Sequence, residues 1–351
     1  MKQPVNVTLR DVARAAGVSV RTVSNVVAGS GRVAEATRAR VEAAVQQLGY
    51  QPNRVARTLR TGRVDMIGLA LPELTVPYFS ELTAIVIDEA RQNGLTVLVE
   101  QTEGRPDRER ALLGSETGGP LVAGLILSPL TITPEEVATA ASGLPVVLLG
   151  ERESAQRLDH VAVDNVAAAE VATRHLIERG CHKIAVIGYE DDPRLRTAHL
   201  RAHGFERAMQ QAGMTPDPAF LPRVTAFHRA DGAEAMRYLL AQPERPDAVF
   251  CFSDLLALGA IHAAREARVR VPQDVLIVGF DDIEDGRYNF PTLTTIRPDK
   301  HEIAKLAVRT LVERIGGTPG KPREYIAPFS LEIRESSTNL RRFSRRSRRA
   351  D

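Results

Sequence analysis

The region between residues 64 and 339 alternates short apolar runs with helical segments, and this alternation constrains the fold more than any other feature. The apolar runs resemble strands that are buried on both faces. They occupy residues 66–71, 96–99, 124–127, 146–149, 183–187, 248–252 and 275–280. Strands that alternate with helices and with short Gly, Pro and Asp turns predict an α/β body of parallel sheets. Because the strands are too many for one modest sheet, we expect two doubly wound lobes with a break near 160–165.

Side chains that follow the strands are the candidates for ligand contacts, since ligands of such sheets bind beyond the carboxyl ends of the strands. Aromatic rings with a few hydroxyls and carboxylates suit a small polar ligand such as a sugar or a nucleobase. The candidates are Thr75, Tyr78, Phe79, Phe250, Ser253, Asp254, Phe280, Asp281 and Asp282. Phe250 and Phe280 fit equally well as core residues, and both interpretations stay open.

The first sixty residues carry a different, purely helical pattern. Thr8 and Asp11 have the spacing of a capping box, which predicts a short helix that ends at Gly17. Ser19 then begins a second helix that runs to about Val27. A third helix is predicted from about Ala34 to Leu48. Two short helices joined by a Gly turn predict a helix-turn-helix, although an ordinary helical hairpin has the same spacing.

The charge of the chain is distributed unevenly. Residues 1–63 contain 11 basic and 3 acidic side chains, and residues 340–351 contain six Arg and one Asp. The intervening body is acidic, with 40 acidic and 29 basic side chains. A basic head on an acidic body favours a module that binds a polyanion such as DNA.

Several classes of function lack their sequence signatures. No dinucleotide or P-loop fingerprint follows a strand, and no Ser or Cys lies in a nucleophile elbow. Cys181 and Cys251 give neither a disulfide framework nor zinc spacing, which favours a cytoplasmic protein. No apolar run is long enough to cross a membrane. We therefore expect no enzyme activity, no cofactor, no metal and no membrane partner.

The whole chain to about Thr338 resembles the lac repressor family of bacterial transcription regulators. In the head the resemblance rests on VTL at 7–9, DVA at 11–13, AGVS at 16–19, TVS at 22–24 and PNRVA at 52–56. In the body it rests on TVPYF at 75–79, HVAVDN at 160–165, GCHKIA at 180–185, FDD at 280–282 and LTTI at 293–296. Ala34 departs from the family, which usually has a Ser cap there, and Pro298 stands where many members have a polar ligand contact.

The resemblance implies specific roles in DNA binding. Val20, Arg21 and Asn25 would reach base edges in the major groove. Phosphate contacts would come from Thr8, Ser19, Thr22, Ser24 and Asn53. A hinge helix would place Val55, Ala56 and Leu59 in the minor groove, where Leu59 would act as a wedge. The partners implied are double-stranded operator DNA and a second copy of the chain.

For the body, the resemblance implies a fold like that of a periplasmic binding protein, with an effector in the cleft between its lobes. The effector contacts would be Thr75, Tyr78, Phe79, Arg201, Phe250, Asp254 and Asp281. The expected domains are a head at 1–50, a hinge at 51–63, a body at 64–338 and a basic tail at 339–351. The first lobe would comprise 64–161 and 294–321, and the second lobe 162–293 and 322–338.

These observations together predict a dimeric repressor that responds to a small polar effector, most simply a sugar or a derivative. Two alternatives stay open: a regulator with a purine-type corepressor, and a solute-binding protein without a regulatory role.

Overall fold

The described residues of the N-terminal unit form a bundle of three helices. In the computed structural model, the residues described are 7–27, 31–50, 64–114, 122–141, 143–150, 157–189, 196–224 and 226–338. The chain divides into two units, Met1–Val64 and Asp65–Asp351. The helices of the first unit are α1 (Leu9–Ala16), α2 (Val20–Val27) and α3 (Glu35–Leu48). Val12, Val23 and Val41 are fully buried where the three helices meet.

The ends of these helices follow from local chemistry. The carboxylate of Asp11 accepts hydrogen bonds from the backbone N–H and the hydroxyl of Thr8. Gly17 ends α1 with a φ of 63°, a conformation that glycine adopts without a steric penalty. Ala34 is the N-cap of α3 and supplies no side-chain cap, and the helix begins at Glu35, one residue after the predicted start. The predicted helix-turn-helix is confirmed.

The second unit contains two sheets flanked by helices, which confirms the predicted α/β body. The first sheet has the order β10-β5-β4-β3-β1-β2, and all its pairs are parallel. The second has the order β11-β9-β8-β7-β6, with β11 antiparallel to β9. The strands are β1 (Met66–Leu71), β2 (Thr96–Gln101), β3 (Leu125–Leu127), β4 (Val146–Leu149), β5 (Asp159–Val163), β6 (Ile184–Ile187), β7 (Ala248–Cys251), β8 (Leu276–Phe280), β9 (Thr294–Pro298), β10 (Glu324–Ala327) and β11 (Phe329–Glu332).

Helices cover both faces of these sheets. They are α4 (Pro77–Gln92), α5 (Pro106–Ala111), α6 (Pro134–Ala140), α7 (Asn165–Glu178), α8 (Arg196–Gln211), α9 (Arg229–Ala241), α10 (Asp254–Glu266), α11 (Glu284–Tyr288) and α12 (Lys300–Ile315). The backbones of helices α9 and α10 pack closely at Gly232. A Cβ at this position would lie 2.1 Å from the carbonyl oxygen of Leu256. Among the described residues, no helix is long and apolar enough to cross a membrane.

Over the residues that the structure describes, the chain passes between the two lobes three times, and the crossing points differ from the predicted lobe boundaries. Strand β5 continues to Val163 in the first sheet, beyond the predicted end at 161. Strand β9 pairs with β8 in the second sheet, so the predicted return to the first lobe at 294 is wrong. The return comes with α12, whose apolar face joins the core of the first lobe.

The C-terminal segment also corrects the prediction. Strand β10 pairs with β5 in the first lobe, whereas 322–338 was assigned to the second. Strand β11 then returns to the second lobe beside β9. These short strands have no distinctive sequence pattern. The lobe to which each belongs depends on the strand with which its backbone pairs.

Candidate DNA-binding and effector sites

Three side chains of helix α2 lie on the side away from the core of the head. Val23 and Val26 are buried, while Val20 is 41% exposed and Arg21 is exposed. Asn25 is half-buried, one turn after Arg21. A helix turns by about 100° per residue, so Arg21 and Asn25 share one face and Val20 lies at its edge. The structure therefore brings together the three residues predicted to read base edges.

The residues predicted to contact phosphates lie in different environments. The hydroxyl of Ser19 accepts a hydrogen bond from the Thr22 N–H at 3.1 Å and lies 2.9 Å from the Thr22 hydroxyl. The Thr8 hydroxyl donates to Asp11 at 2.6 Å. Ser24 is only 9% exposed, and its role as a phosphate contact stays a prediction. The hinge residues Asn53, Val55, Ala56 and Leu59 lie outside the described residues.

A cavity of about 480 Å³ lies between the two lobes of the second unit, at the carboxyl ends of the strands. Ser128 and Gly150 line it from the ends of β3 and β4, and Ser253 and Asp281 line it after β7 and β8. This is the position that ligands take in parallel sheets, and the volume falls within the usual range of small-molecule sites.

Four of the predicted effector contacts line this cavity together. They are Tyr78, Phe79, Arg201 and Asp281. The rings of Tyr78 and Phe79 meet edge to face, with centroids 5.3 Å apart. They begin α4, which starts just after the first strand, while Arg201 and Asp281 belong to the second lobe.

Arg201 is held rigidly at the wall of the cavity. Its side chain is buried, and its guanidinium carbon lies 3.4 Å from the centroid of the Phe280 ring. Its Nε donates to the Asn165 side chain at 2.7 Å, and another guanidinium N–H donates to the carbonyl of Phe252. The remaining nitrogen, Nη2, lies 4.0 Å from the Asp281 carboxylate. This arrangement fixes a guanidinium and a carboxylate side by side at the cavity wall, a combination that suits the binding of neighbouring hydroxyls.

Asp281 combines an altered pKa with an unusual backbone. Burial raises its pKa to about 6, although Arg201 and Lys300 act in the opposite direction. Its φ is 116° and that of Asp282 is 47°, in the region that favours glycine. Strain of this kind costs about 1–3 kcal/mol per residue and persists only where the surroundings enforce it.

The surroundings of Asp282 enforce this conformation. Its buried carboxylate accepts hydrogen bonds at 2.6 Å from both Arg287 and Arg334. Burial opposes ionisation, but these two guanidinium groups keep the pKa of Asp282 below its ordinary value. The Asp281 N–H also donates to the carbonyl of Ile296 at 2.8 Å. The loop therefore holds the Asp281 carboxyl at the cavity.

Both the head and the body resemble known proteins. Residues 8–53 match the model of the bacterial regulatory proteins of the lacI family, and residues 173–337 match that of the periplasmic binding protein-like domain. The chain is 36% identical to the HTH-type transcriptional repressor PurR of Haemophilus influenzae (strain PittEE) over 312 residues, which cover 88% of this chain and 91% of that protein. The protein belongs to the lac repressor family.

Solved structures agree with this membership. A putative transcriptional regulator of the LacI family from Sanguibacter keddieii is 41% identical, with a TM-score of 0.71 over 79% of this chain and 100% of that one. The lac repressor dimer bound to operator and an anti-inducer is 28% identical, with a TM-score of 0.82 over 95% and 99%. A complex of the regulator CelR with cellobiose is 31% identical, with a TM-score of 0.70 over 94% and 99%. This family member is thus a DNA-binding transcriptional regulator with an effector-binding body.

Three predicted effector contacts of this lac repressor relative do not line the cavity. Asp254 is fully buried and accepts hydrogen bonds from the Thr295 hydroxyl at 2.6 Å and the Ile283 N–H at 2.9 Å. Burial, reinforced by the nearby Asp281, raises the pKa of Asp254 well above its ordinary value. Asp254 is therefore an anchor beneath the strained loop. Phe250 is fully buried beside Phe252, and the core interpretation holds.

Thr75 is exposed, and its hydroxyl donates to the Glu73 carboxylate rather than facing the cavity. Glu73, which sequence reasoning missed, does line the cavity, and its Oε2 lies 3.4 Å from Nε2 of His228 in the second lobe. Glu73 and Ser128 could have been found, since both follow strands. His228 lies just before α9 and does not follow a strand, so the search for side chains after strands could not find it.

A second contact between the lobes was also missed. Glu81, on α4 of the first lobe, accepts a hydrogen bond from the Glu284 N–H of the second lobe at 3.1 Å. Its other carboxylate oxygen accepts from the Lys300 ammonium, which also donates to the Asp282 carbonyl at 3.2 Å. Glu81 and Lys300 therefore tie α4 to the loop that carries Asp281.

Proposed function

We propose that this protein represses transcription by binding a pseudo-palindromic operator as a homodimer, and that a small effector in the cavity sets its affinity for DNA. The observation that carries the proposal is the pairing of two sites in one chain. Arg21 and Asn25 face outward on the second helix of a helix-turn-helix, and Arg201 and Asp281 face a cavity in the body. Membership of the lac repressor family supports the link between the sites.

For the DNA site, Arg21 pairs with guanine and Asn25 with adenine, because their donor and acceptor patterns match those base edges in the major groove. Val20 makes an apolar contact beside them. Ser19, Thr22 and Asn53 contact phosphates, and Thr8 does so by exchanging its hydrogen bond to Asp11. In the hinge, Val55, Ala56 and Leu59 enter the minor groove, where Leu59 opens a base step and bends the duplex.

The homodimer follows from the size of the head and from an exposed surface of the second lobe. One helix-turn-helix reads too few base pairs to select a site in a genome, so operators of this kind bind two heads. Tyr288 is 82% exposed and Phe290 is 86% exposed. They adjoin a shallow groove lined by α9 and α10. Exposed aromatic surface of this kind marks interaction sites, and a second copy would cover it.

The effector site is the cavity, where the Arg201 guanidinium and the Asp281 carboxyl bind hydroxyls of a sugar or derivative. The complex of the relative CelR with cellobiose supports this class. The relative PurR supports a purine-type corepressor as the second candidate. Whichever the ligand, the coupling is reciprocal: a ligand that weakens DNA binding is itself bound more weakly on DNA.

The protein acts without catalysis, in the compartment that holds the DNA. The relatives that support this are transcriptional regulators whose likeness covers both the head and the body. A solute-binding protein without a regulatory role would not need the head, where residues 8–53 match the lacI family.

Operator binding by matched variants tests the proposal. An operator is first selected from random duplex DNA with the full chain, and affinities are then measured by gel shift at several salt concentrations. Arg21→Ala should cost about 1–3 kcal/mol and relax specificity at one base pair. Arg91→Ala removes an exposed arginine from the body and should leave operator binding unchanged. Equal effects of both variants, or no selectable operator, would contradict the proposal.

A further inference from the structure

The side chain of Asn25, half-buried on the outer side of α2, packs against the backbone of Gly31. A Cβ built on Gly31 would lie 3.2 Å from the amide nitrogen of Asn25, 3.5 Å from its Cγ and 3.7 Å from its Cβ. The immediate chain neighbours of Gly31 aside, these are the three nearest atoms. The amide of Asn25 therefore occupies space that is open because residue 31 has no side chain.

The backbone conformation of Gly31 also favours glycine. Its φ is 82°, in the left-handed region, where the Cβ of any other residue comes too close to the following carbonyl oxygen. A side chain at position 31 would thus strain the backbone and displace the Asn25 amide by a few tenths of an ångström.

A displacement of this size matters for a residue that reads a base. An Asn side chain recognises adenine with two hydrogen bonds at once, so its amide has to lie in the plane of the base. Ordering a free side chain at an interface costs about two- to ten-fold in affinity. A side chain that already packs against Gly31 has lost part of this freedom before DNA binds.

We propose that Gly31 is a positioning residue of the DNA-binding site, whose backbone holds the Asn25 amide in the orientation that reads a base. Residue 31 then sets base selectivity without contacting a base itself. The inference rests on the proposed base contact of Asn25 and adds a determinant outside helix α2. Because the atoms nearest to the Cβ position of Gly31 all belong to Asn25, the base contact of Arg21 should not depend on it.

Gel shifts of the full-length protein on single-base-pair variants of the selected operator test this inference. Asn25→Ala and Arg21→Ala first identify the base pair that each residue reads. Gly31→Ala should then lower discrimination at the Asn25 base pair about two- to ten-fold and leave discrimination at the Arg21 base pair unchanged. In the Asn25→Ala background, Gly31→Ala should have no further effect on discrimination, because the amide that the new methyl group displaces is gone.

Gly49→Ala is the matched control. Gly49 has a φ of 63°, and a Cβ on it would have no atom within 4 Å, so the variant carries similar backbone strain without the contact. It should leave discrimination at both base pairs unchanged, even if thermal unfolding shows a less stable head. Gly31→Asn repeats the test with less strain, since Asn tolerates a positive φ better than Ala.

Three results would overturn the inference. Gly31→Ala and Gly31→Asn could behave like Gly49→Ala, or could weaken binding to every operator variant by the same factor. Their effect could also persist in the Asn25→Ala background, which would mean that the new side chain acts on DNA directly. If Asn25→Ala alters no base pair, the inference fails with that contact, while Arg21→Ala reports separately on the proposed function.

Discussion

The contact between Glu81 and Lys300 should contribute measurably to the stability of the body. Glu81→Ala would leave the Lys300 ammonium, whose side chain is 9% exposed, with the Asp282 carbonyl and the Tyr78 ring nearby. A charge-assisted hydrogen bond contributes about 1.5–3 kcal/mol and a neutral one about 1 kcal/mol. Because the Glu81 side chain is 32% exposed, solvent replaces part of this, and we expect a loss of about 2–3 kcal/mol.

Urea unfolding measures this loss, and hydrogen exchange locates it. Amides in residues 281–288 should exchange faster in Glu81→Ala, since the Glu284 N–H loses its acceptor. Glu81→Gln keeps that acceptor and should cost about half as much. Glu89→Ala, on the same helix, is the control and should change stability by less than about 0.5 kcal/mol. If Glu81→Ala behaves like Glu89→Ala in both measurements, the contact does not support the loop and the reasoning is refuted.

Three further predictions follow from the described residues. Ala34→Ser supplies the missing cap of α3 and should stabilise the head by about 1 kcal/mol in thermal unfolding; no change would show that Ala34 is not the cap. The pKa of Asp281 is raised to about 6, so ionisation of this group removes stability as the pH rises from about 4 to 6. The stability of Asp281→Asn relative to the wild type should therefore increase over that window, and a constant difference would contradict the assignment. Tyr288→Ala with Phe290→Ala should shift sedimentation toward the monomer, whereas an unchanged dimer would place the interface elsewhere.

Elements can be predicted from the sequence where the local signals and the burial pattern indicate the same secondary structure. Gly17 and Ser19 mark the turn of the head because each has a specific local role, a positive φ and a helix cap. The strands of the body are recognisable because burial on both faces requires continuous apolar runs. Tyr78 and Asp281 were predicted as cavity residues because they follow strands, and parallel strands bring their ends together.

Contacts between distant segments could not be predicted in this way. Asp254 and Asp281 both follow strands and both are acidic, yet one is an anchor and the other faces the cavity. The difference depends on Thr295 and Ile283, which the fold brings to Asp254 from later in the chain. The lobe of β9 was misassigned for the same reason, since strand pairing and not the sequence of the strand decides it.

Linkage between the two sites is the central claim, and fluorescence anisotropy of a labelled operator tests it most directly. The ligand is the best binder from a thermal-shift screen of sugars, sugar phosphates and purines, added at saturation to the full-length protein. The operator dissociation constant should change by about 5- to 150-fold, and saturating operator should change the ligand dissociation constant by the same factor. An operator affinity that stays constant while the cavity is fully occupied would contradict the account.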